Sequence, residues 1–245
     1  MANNYDELRE DALYQLRAYM DSLDKKKGCV LAYWVRDYVR FLRKEAEFDP
    51  KKLIRYKRGS IVKAHLGFRI GSEEGGLHYA VVLDSANALS SQTVTVIPLT
   101  SQKPTSKPHP SKVSLGDEIY QLVQNKIRKT VSEVTQLQSG IQNHIRAMRD
   151  STDIDPSVLE VEQRLLTAEV EKLNKKLDLA NNMLRDIYKM KEGSIALVGQ
   201  ITTISKIRIY DPMYPLDTLS GIRLSSESMD KLDAKLQELY TKKSK

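Results

Sequence analysis

The sequence predicts an α+β fold in which a β domain is interrupted by a long helical hairpin. Three observations predict it. Short runs rich in β-branched residues lie between residues 60 and 115 and again between residues 194 and 209. Between these regions, residues 117–192 carry apolar side chains at helical spacing in two long stretches. Amphipathic helical patterns lie before and after the β regions.

Residues 1–49 predict an N-terminal helical hairpin. The first helix is expected over residues 5–23, where leucines recur at near-helical spacing among charged residues. We expect a break at residues 25–28 and a second helix over residues 30–47. Asp49-Pro50 ends this helix, because a residue before proline is disfavoured in the helical conformation. One face of the second helix is aromatic, and we interpret it as a packing face rather than a base-stacking one: Tyr33, Trp34, Tyr38 and Phe41.

Residues 50–116 begin the β domain. Strands are predicted at residues 60–66, 79–83, 93–99 and 112–115, with a proline-rich loop over residues 101–111. This region holds ten basic and three acidic side chains, an excess equal to the net charge of +7 of the whole chain. Localised positive charge suggests a polyanionic partner, although a solvated surface is the commoner cause.

Residues 117–192 predict an antiparallel coiled-coil hairpin inserted into the β domain. Two apolar stripes of similar length flank a turn at residues 150–156. Each arm would be about 50 Å long at about 1.5 Å per residue. The first stripe comprises Ile119, Leu122, Ile127, Val134, Leu137, Ile141, Ile145 and Met148. The second comprises Leu159, Leu166, Leu173, Leu177, Ala180, Leu184 and Ile187.

The β pattern returns at residues 194–201 and 202–209, and a last helix is expected over residues 226–240. The predicted domains are therefore an N-terminal extension (1–49), a β domain (50–116 with 193–245) and the inserted hairpin (117–192). Hairpin loops of a sheet tolerate such insertions, because their two ends are already close together.

Composition excludes several classes of protein. No stretch reaches the roughly 18 apolar residues of a membrane helix, and the first residues have no signal-peptide pattern, so we expect a soluble, cytoplasmic protein with no membrane partner. The single cysteine, Cys29, excludes an internal disulfide and a cysteine-based zinc cluster. We expect no metal and no cofactor.

Five segments resemble the MazF/PemK family of toxin ribonucleases in order, and in mutual spacing everywhere except at the coiled coil: RGSIV (58–62), GSEEGG (71–76), AVVL (80–83), TVIPLTS (95–101) and ALVGQITTISK (196–206). The resemblance covers residues 56–116 and 193–240. It implies a small, strongly curved β-barrel with a C-terminal helix, and a homodimer. It also implies cleavage of single-stranded RNA without a metal, and an antitoxin protein that holds the toxin inactive.

The resemblance also implies site residues. The catalytic threonine of the family corresponds to Thr100, and a glutamine that lines the family's site corresponds to Gln200. His78 stands where the family has its catalytic arginine, and Thr202 stands where the family has another arginine. Metal-free RNA cleavage needs a base for the 2′-hydroxyl, an acid for the leaving 5′-oxygen and donors to the phosphate.

His78 could serve as acid or base, because histidine titrates near neutral pH. Thr100 would donate a hydrogen bond to a phosphate oxygen. Glu73 or Glu74 could be a base, or simply be solvated loop carboxylates. We expect the loop at residues 71–76 to be a flap over the site with Gly75 and Gly76 as its hinge.

The fixed positive charge of the missing arginine could come from Lys63, Arg69 or Lys206, and Lys206 is also a predicted site-lining residue. Arg58 could pair with an acid, which we prefer, or contact RNA. Gln200 could instead satisfy backbone groups. The remaining histidines lack ligand-type spacing, and we interpret them as non-catalytic: His65, His109 and His144.

The leading hypothesis is a metal-independent endoribonuclease toxin that attacks single-stranded RNA through its 2′-hydroxyl, with the coiled coil serving partner binding or dimer assembly. The alternative is a non-catalytic toxin or binding module that acts by contact with a protein or a nucleic acid. Either an antitoxin protein or an internal autoinhibitory segment could restrain the activity. If the restraint is an internal autoinhibitory segment, the N-terminal helices or the coiled coil would cover the RNA-binding groove of the β-barrel.

Overall fold

The computed structural model describes residues 2–102, 109–150 and 155–241. The predicted α+β class and order of elements are confirmed. Parts of the predicted loop at residues 101–111 and turn at residues 150–156 lie outside the described residues. In chain order the helices and strands are α1 (Ala2–Ser22), α2 (Lys25–Glu45), β1 (Ile61–His65), β2 (Leu77–Val82), β3 (Thr93–Ser101), β4 (Val113–Gly116), α3 (Glu118–Asp150), α4 (Pro156–Lys189), β5 (Ser194–Ala196), β6 (Thr202–Ser205), β7 (Ile209–Asp211) and α5 (Ser226–Tyr240).

Seven antiparallel strands form one sheet in the order β4–β5–β3–β2–β1–β7, and β6 also pairs with β3. Strand β3 is its centre. One side of β3 pairs with β2, and the other pairs with β6 at Val96↔Thr202 and with β5 at Thr100↔Ile195. Because β5 and β6 follow the helical hairpin in sequence, the two β regions build one sheet around an insertion.

The central strands are buried on both faces. In β2, Ala80 and Val82 pack into one core and Val81 packs into the other. Strands covered on both faces have near-continuous apolar sequences, which accounts for the apolar run in β2. One core includes the root of the hairpin and α5. The other includes Tyr56, which is 1% exposed and donates its hydroxyl hydrogen to the carbonyl of Pro212 at 2.8 Å.

The C-terminal β region differs from its prediction. The run predicted at residues 194–201 is a strand only as far as Ala196, and a 3₁₀ turn, Val198–Gln200, separates β5 from β6. The interruption lies opposite Pro98, whose carbonyl accepts from the N–H of Leu197 at 2.9 Å but which has no N–H to return. A second 3₁₀ turn, Lys206–Arg208, likewise divides the run predicted at residues 202–209 into β6 and β7.

Helices α3 and α4, of 33 and 34 residues, form the predicted antiparallel hairpin. Near its root the hairpin joins the core of the sheet through Leu179 and Met183. The predicted second stripe is wrong at Leu184, which is 48% exposed, whereas Met183 is fully buried. Leu159 of the second stripe and Ile145 of the first are also exposed. The last turns of α4 pack against both α3 and the core of the sheet. Because of this second contact, Met183 is buried there in place of its neighbour Leu184.

The N-terminal helices are separated one turn earlier than predicted. Residues 25–28 begin α2 instead of breaking the chain, because the Asp24 carboxylate caps the helix by accepting from the N–H of Lys27 at 3.0 Å. Helix α2 is attached to the sheet by Phe41, which packs edge-on against Tyr210. By contrast, Leu8 in α1 is 64% exposed. Among the described residues, no helix is both long enough and apolar enough to cross a membrane.

Candidate active site

The site is built around the loop at residues 66–76, which joins β1 to β2. Backbone hydrogen bonds close its neck: Leu66 donates to Gly76 at 2.7 Å, and Gly76 donates to Gly67 at 2.7 Å. A Cβ atom at Gly75 would lie 2.8 Å from the Gly67 carbonyl oxygen, and Gly76 has a φ of +85°. Both glycines are therefore required for the closed neck. Hydrogen bonds thus close the neck at Gly75 and Gly76, where the sequence predicts a hinge.

Gln200 ties the tip of this loop to the sheet. Its Oε1 accepts from the N–H of Glu74 at 2.6 Å, and its Nε2 donates to the carbonyl of Ser72 at 3.1 Å. Gln200 therefore satisfies backbone groups, which was one of its two predicted roles. It also lines a cavity of about 440 Å³ beneath the loop, together with Arg69, Ser72, Glu73, Glu74, Pro98, Gly199, Ile201 and Thr202.

His78 and Glu74 form a pair at the end of this cavity. The His78 Nδ1 lies 3.2 Å from the carbonyl oxygen of Leu99, and the His78 Nε2 lies 3.0 Å from the Glu74 Oε1. A carbonyl only accepts, so Nδ1 donates, and the ring is fully hydrogen-bonded when Nε2 shares a proton with the carboxylate. The two side chains are 29% and 23% exposed, so the pair is shielded but accessible.

Thr100 lies beside this pair. His78 and Thr100 both line a second cavity, of about 220 Å³, on the other side of the Glu74–His78 contact. Among the described residues, the Thr100 hydroxyl forms no hydrogen bond. The backbone of Thr100 is fixed by pairing with Ile195 in β5. The structure thus brings together His78, Thr100 and Glu74.

Arg69 supplies a positive charge to the 440 Å³ cavity, which Glu74 also lines. Its Nε donates to the carbonyl of Leu66 at 2.9 Å, and its second terminal nitrogen lies 3.3 Å from the Thr202 hydroxyl. The carboxylate of Glu73, 60% exposed, lies 3.7 Å from the guanidinium. Sequence reasoning named Arg69 only as one of three sources of charge. The resemblance implies an arginine at the position of Thr202. In this chain the guanidinium of Arg69, from the loop, contacts the Thr202 side chain.

Two predicted site residues lie elsewhere. Lys206 is 1% exposed, and its ammonium donates to the carbonyl of Ala88 at 3.0 Å, so the prediction that it lines the site is wrong. Burial lowers the pKa of its amine. Arg58 pairs with Asp233 of α5 and with the carbonyl of Leu83, the structural role that we preferred. The third candidate charge, Lys63, lies 5.7 Å from the ring centre of Tyr79.

Helix α2 supports the loop without covering either cavity. The Trp34 ring lies 4.5 Å from the His65 ring, and a Cβ atom at Gly67 would lie 3.3 Å from it. The Arg208 guanidinium lies 5.6 Å from the centre of the same indole, and its Nε donates to the carbonyl of His65 at 2.7 Å. Of the described residues, none before residue 50 lines the two cavities. In this structure the N-terminal helices therefore do not cover the two cavities, as one form of the autoinhibitory alternative would require.

The other histidines have structural partners. The His65 Nδ1 accepts from the N–H of Gly67 at 3.1 Å, and burial lowers the pKa of its ring. His144 lies between the carboxylates of Glu169 and Glu162 in the hairpin, and these hydrogen bonds raise its pKa. His109 contacts the Ser111 hydroxyl at 2.9 Å. None of the three lines the cavities.

Comparison with known proteins gave one family match. Residues 57–180 match the family of PemK-like, MazF-like toxins of type II toxin–antitoxin systems. The matched range contains β1 to β4, α3 and most of α4. A search of curated proteins found no significant match.

Proposed function

The chain belongs to the PemK-like, MazF-like toxin family of type II toxin–antitoxin systems, and we propose that it is an endoribonuclease that cleaves single-stranded RNA without a metal. The observation that carries this proposal is the contact of 3.0 Å between Glu74 and His78 beside Thr100, whose hydroxyl has no hydrogen-bond partner in the described part of the chain. The pair places a proton acceptor, Glu74, next to a proton donor, His78. Glu74 lines the 440 Å³ cavity and His78 lines the 220 Å³ cavity.

The chemistry requires two proton transfers. The 2′-oxygen of the substrate attacks the adjacent phosphorus, the new O2′–P bond forms and the P–O5′ bond breaks. Glu74 takes the proton from the 2′-hydroxyl, and His78 gives a proton to the leaving 5′-oxygen. The products are a 2′,3′-cyclic phosphate and a 5′-hydroxyl, so no water is consumed. The substrate phosphate enters between Glu74 and His78 and replaces their mutual contact.

The charge that develops on the phosphate needs fixed donors. Thr100 donates its hydroxyl hydrogen to a non-bridging oxygen, and Arg69 provides a charged, planar fork from the loop. The hydrogen bond from Arg69 to the Leu66 carbonyl orients the guanidinium before the substrate binds. Arg69 thereby takes the electrostatic role of the arginine that His78 replaces. Gln200 holds the loop through its hydrogen bonds to Glu74 and Ser72, and so keeps Glu74 and Arg69 in position for the substrate.

The family also implies an antitoxin partner. We propose that the antitoxin restrains the nuclease in trans, because the N-terminal helices leave both cavities open. We also propose a homodimer, as in the resembled family, and the three-part domain division at residues 1–49, 50–116 with 193–245, and 117–192.

The experiment that tests this function uses the full chain and an end-labelled single-stranded RNA in excess EDTA. Cuts at defined positions, with 2′,3′-cyclic phosphate ends, are expected. RNA that stays intact with folded protein would contradict the nuclease and favour the non-catalytic binding module.

A further inference from the structure

The return end of the inserted hairpin contributes to the cavity that holds His78 and Thr100. Helix α4 ends at Lys189, and the residues from Lys189 to Lys191 line the 220 Å³ cavity. Lys189 and Lys191 are both exposed, and neither forms an ion pair within the described part of the chain. None of the described residues that line this cavity is acidic. Among its described lining residues the cavity thus carries two lysines and no carboxylate, and it adjoins the candidate active site at His78 and Thr100.

The flanking contacts fix this segment relative to Thr100. On one side, Met183 of α4 is fully buried in the sheet core. On the other side, the carbonyl of Gly193 accepts from the N–H of Gln102 at 2.9 Å. A Cβ atom at Gly193 would lie 2.8 Å from the Cβ of Gln102, so the two backbone segments approach too closely for any residue other than glycine at position 193. These contacts on both sides hold the segment that carries the two lysines in a fixed position next to Thr100.

We propose that Lys189 and Lys191 form a subsite for RNA phosphates next to the cleaved bond. This inference rests on the proposed function, and it gives the hairpin a role in holding the substrate. A lysine ammonium is a compact charge that binds phosphate without reading sequence, and each neutralised phosphate contributes to the salt dependence of binding. The subsite therefore adds affinity and fixes the register of the strand, whereas base preference comes from other residues.

The test measures binding of a single-stranded 2′-O-methyl RNA to the full chain as a function of salt. This probe has no free 2′-hydroxyl and is not cleaved by the proposed mechanism. For the double variant Lys189→Ala/Lys191→Ala, we expect affinity on the order of tenfold lower at about 100 mM salt and a slope of log K against log salt that is about 1.4 smaller. The matched control, Lys172→Ala/Lys175→Ala, removes two exposed charges that lie earlier in α4, away from its C-terminal end.

The outcomes separate the subsite from the nuclease. Unchanged affinity and slope in the double variant would overturn the subsite, even if the wild type cleaves RNA. Salt-dependent binding that falls only in the double variant supports the subsite, even if the wild type leaves RNA intact. Loss of the same size in the control variant would also overturn it, because the effect would then reflect net charge. Wild-type protein that binds no 2′-O-methyl RNA would overturn it as well.

Discussion

The Nε2 atom of His78 lies 3.0 Å from the Oε1 atom of Glu74. The two residues lie four apart in sequence, but the closed neck of the 66–76 loop brings the Glu74 side chain back over the start of β2. Histidine cannot reproduce the two-pronged contact of an arginine with a phosphate. Paired with a carboxylate, however, it can take part in proton transfer, and we propose that Arg69 supplies the charge.

Arg69→Ala should reduce the rate of RNA cleavage on the order of 10² to 10³-fold, because a preorganised donor to the developing charge is removed. Arg69→Lys should recover only part of that loss, since an ammonium lacks the planar fork. Single-turnover cleavage rates measure both effects. Arg55→Ala removes an exposed arginine of the same region and serves as the control. A wild-type rate for Arg69→Ala would assign the charge to another residue.

Gln200→Ala should loosen the loop, because the N–H of Glu74 and the carbonyl of Ser72 lose their partners. We expect a cost of about 1 to 2 kcal/mol in unfolding free energy. Hydrogen exchange at the Glu74 amide should become faster. The exposed Gln163→Ala provides the control in α4. If exchange at Glu74 is unchanged, the tether does not hold the loop in solution.

Trp34→Ala should lower RNA cleavage, because the indole supports the loop through His65 and Gly67. The expected loss of unfolding free energy is about 1 to 3 kcal/mol. Tyr33→Ala, on the exposed face of the same helix, should leave cleavage unchanged. An autoinhibitory helix predicts the reverse. Faster cleavage by Trp34→Ala would therefore restore the hypothesis that α2 restrains the site.

Asp211 should make stability depend on pH. Burial raises the pKa of its carboxyl from 3.8 to about 6, so the folded protein holds this proton where the unfolded chain loses it. Its stabilising contribution is full below pH 3.8 and is lost as the pH rises through about 6. Asp211→Asn should therefore be more stable than the wild type at pH 8, by up to about 3 kcal/mol at about 1.4 kcal/mol per pKa unit.

Denaturant unfolding at pH 4 and at pH 8 checks this prediction. The two proteins should approach equal stability at the lower pH, because the side-chain amide oxygen of the Asp211→Asn variant can still accept from the N–H of Leu219, as the Asp211 carboxylate does at 2.9 Å. Asp178→Asn, at an exposed position of α4, should show no such difference. A variant that is less stable at pH 8 would show that the ionised Asp211 carboxylate stabilises the fold.

The fold was predictable because its signals are local. Helical spacing marked α3, α4 and α5, and β-branched runs marked β1 to β3. The division of β5 from β6 was not predicted, because it depends on Pro98 in a distant strand, which has no N–H to donate to the chain opposite it. The start of α2 was missed because the capping by Asp24 outweighed the glycine at position 28.

The site was predictable only where a motif marked it. His78, Thr100 and Gln200 were found from the order of five short segments. Arg69 was not singled out, because its direction depends on a loop that Gln200 holds from 126 residues away. Lys206 was misassigned because the sequence shows its charge but not its burial. The lysines at the end of α4 lie in a segment with no counterpart in the five matching segments.

The most direct test of the central claim is the single-turnover cleavage rate of a single-stranded RNA in EDTA by the wild type and His78→Ala. We expect defined cuts by the wild type and a rate on the order of 10² to 10⁴-fold lower for the variant. Thr100→Ala should also be slower, and His144→Ala, in the hairpin, should match the wild type. Cleavage by His78→Ala at the wild-type rate, with the same cut sites, would show that His78 is not a catalytic residue.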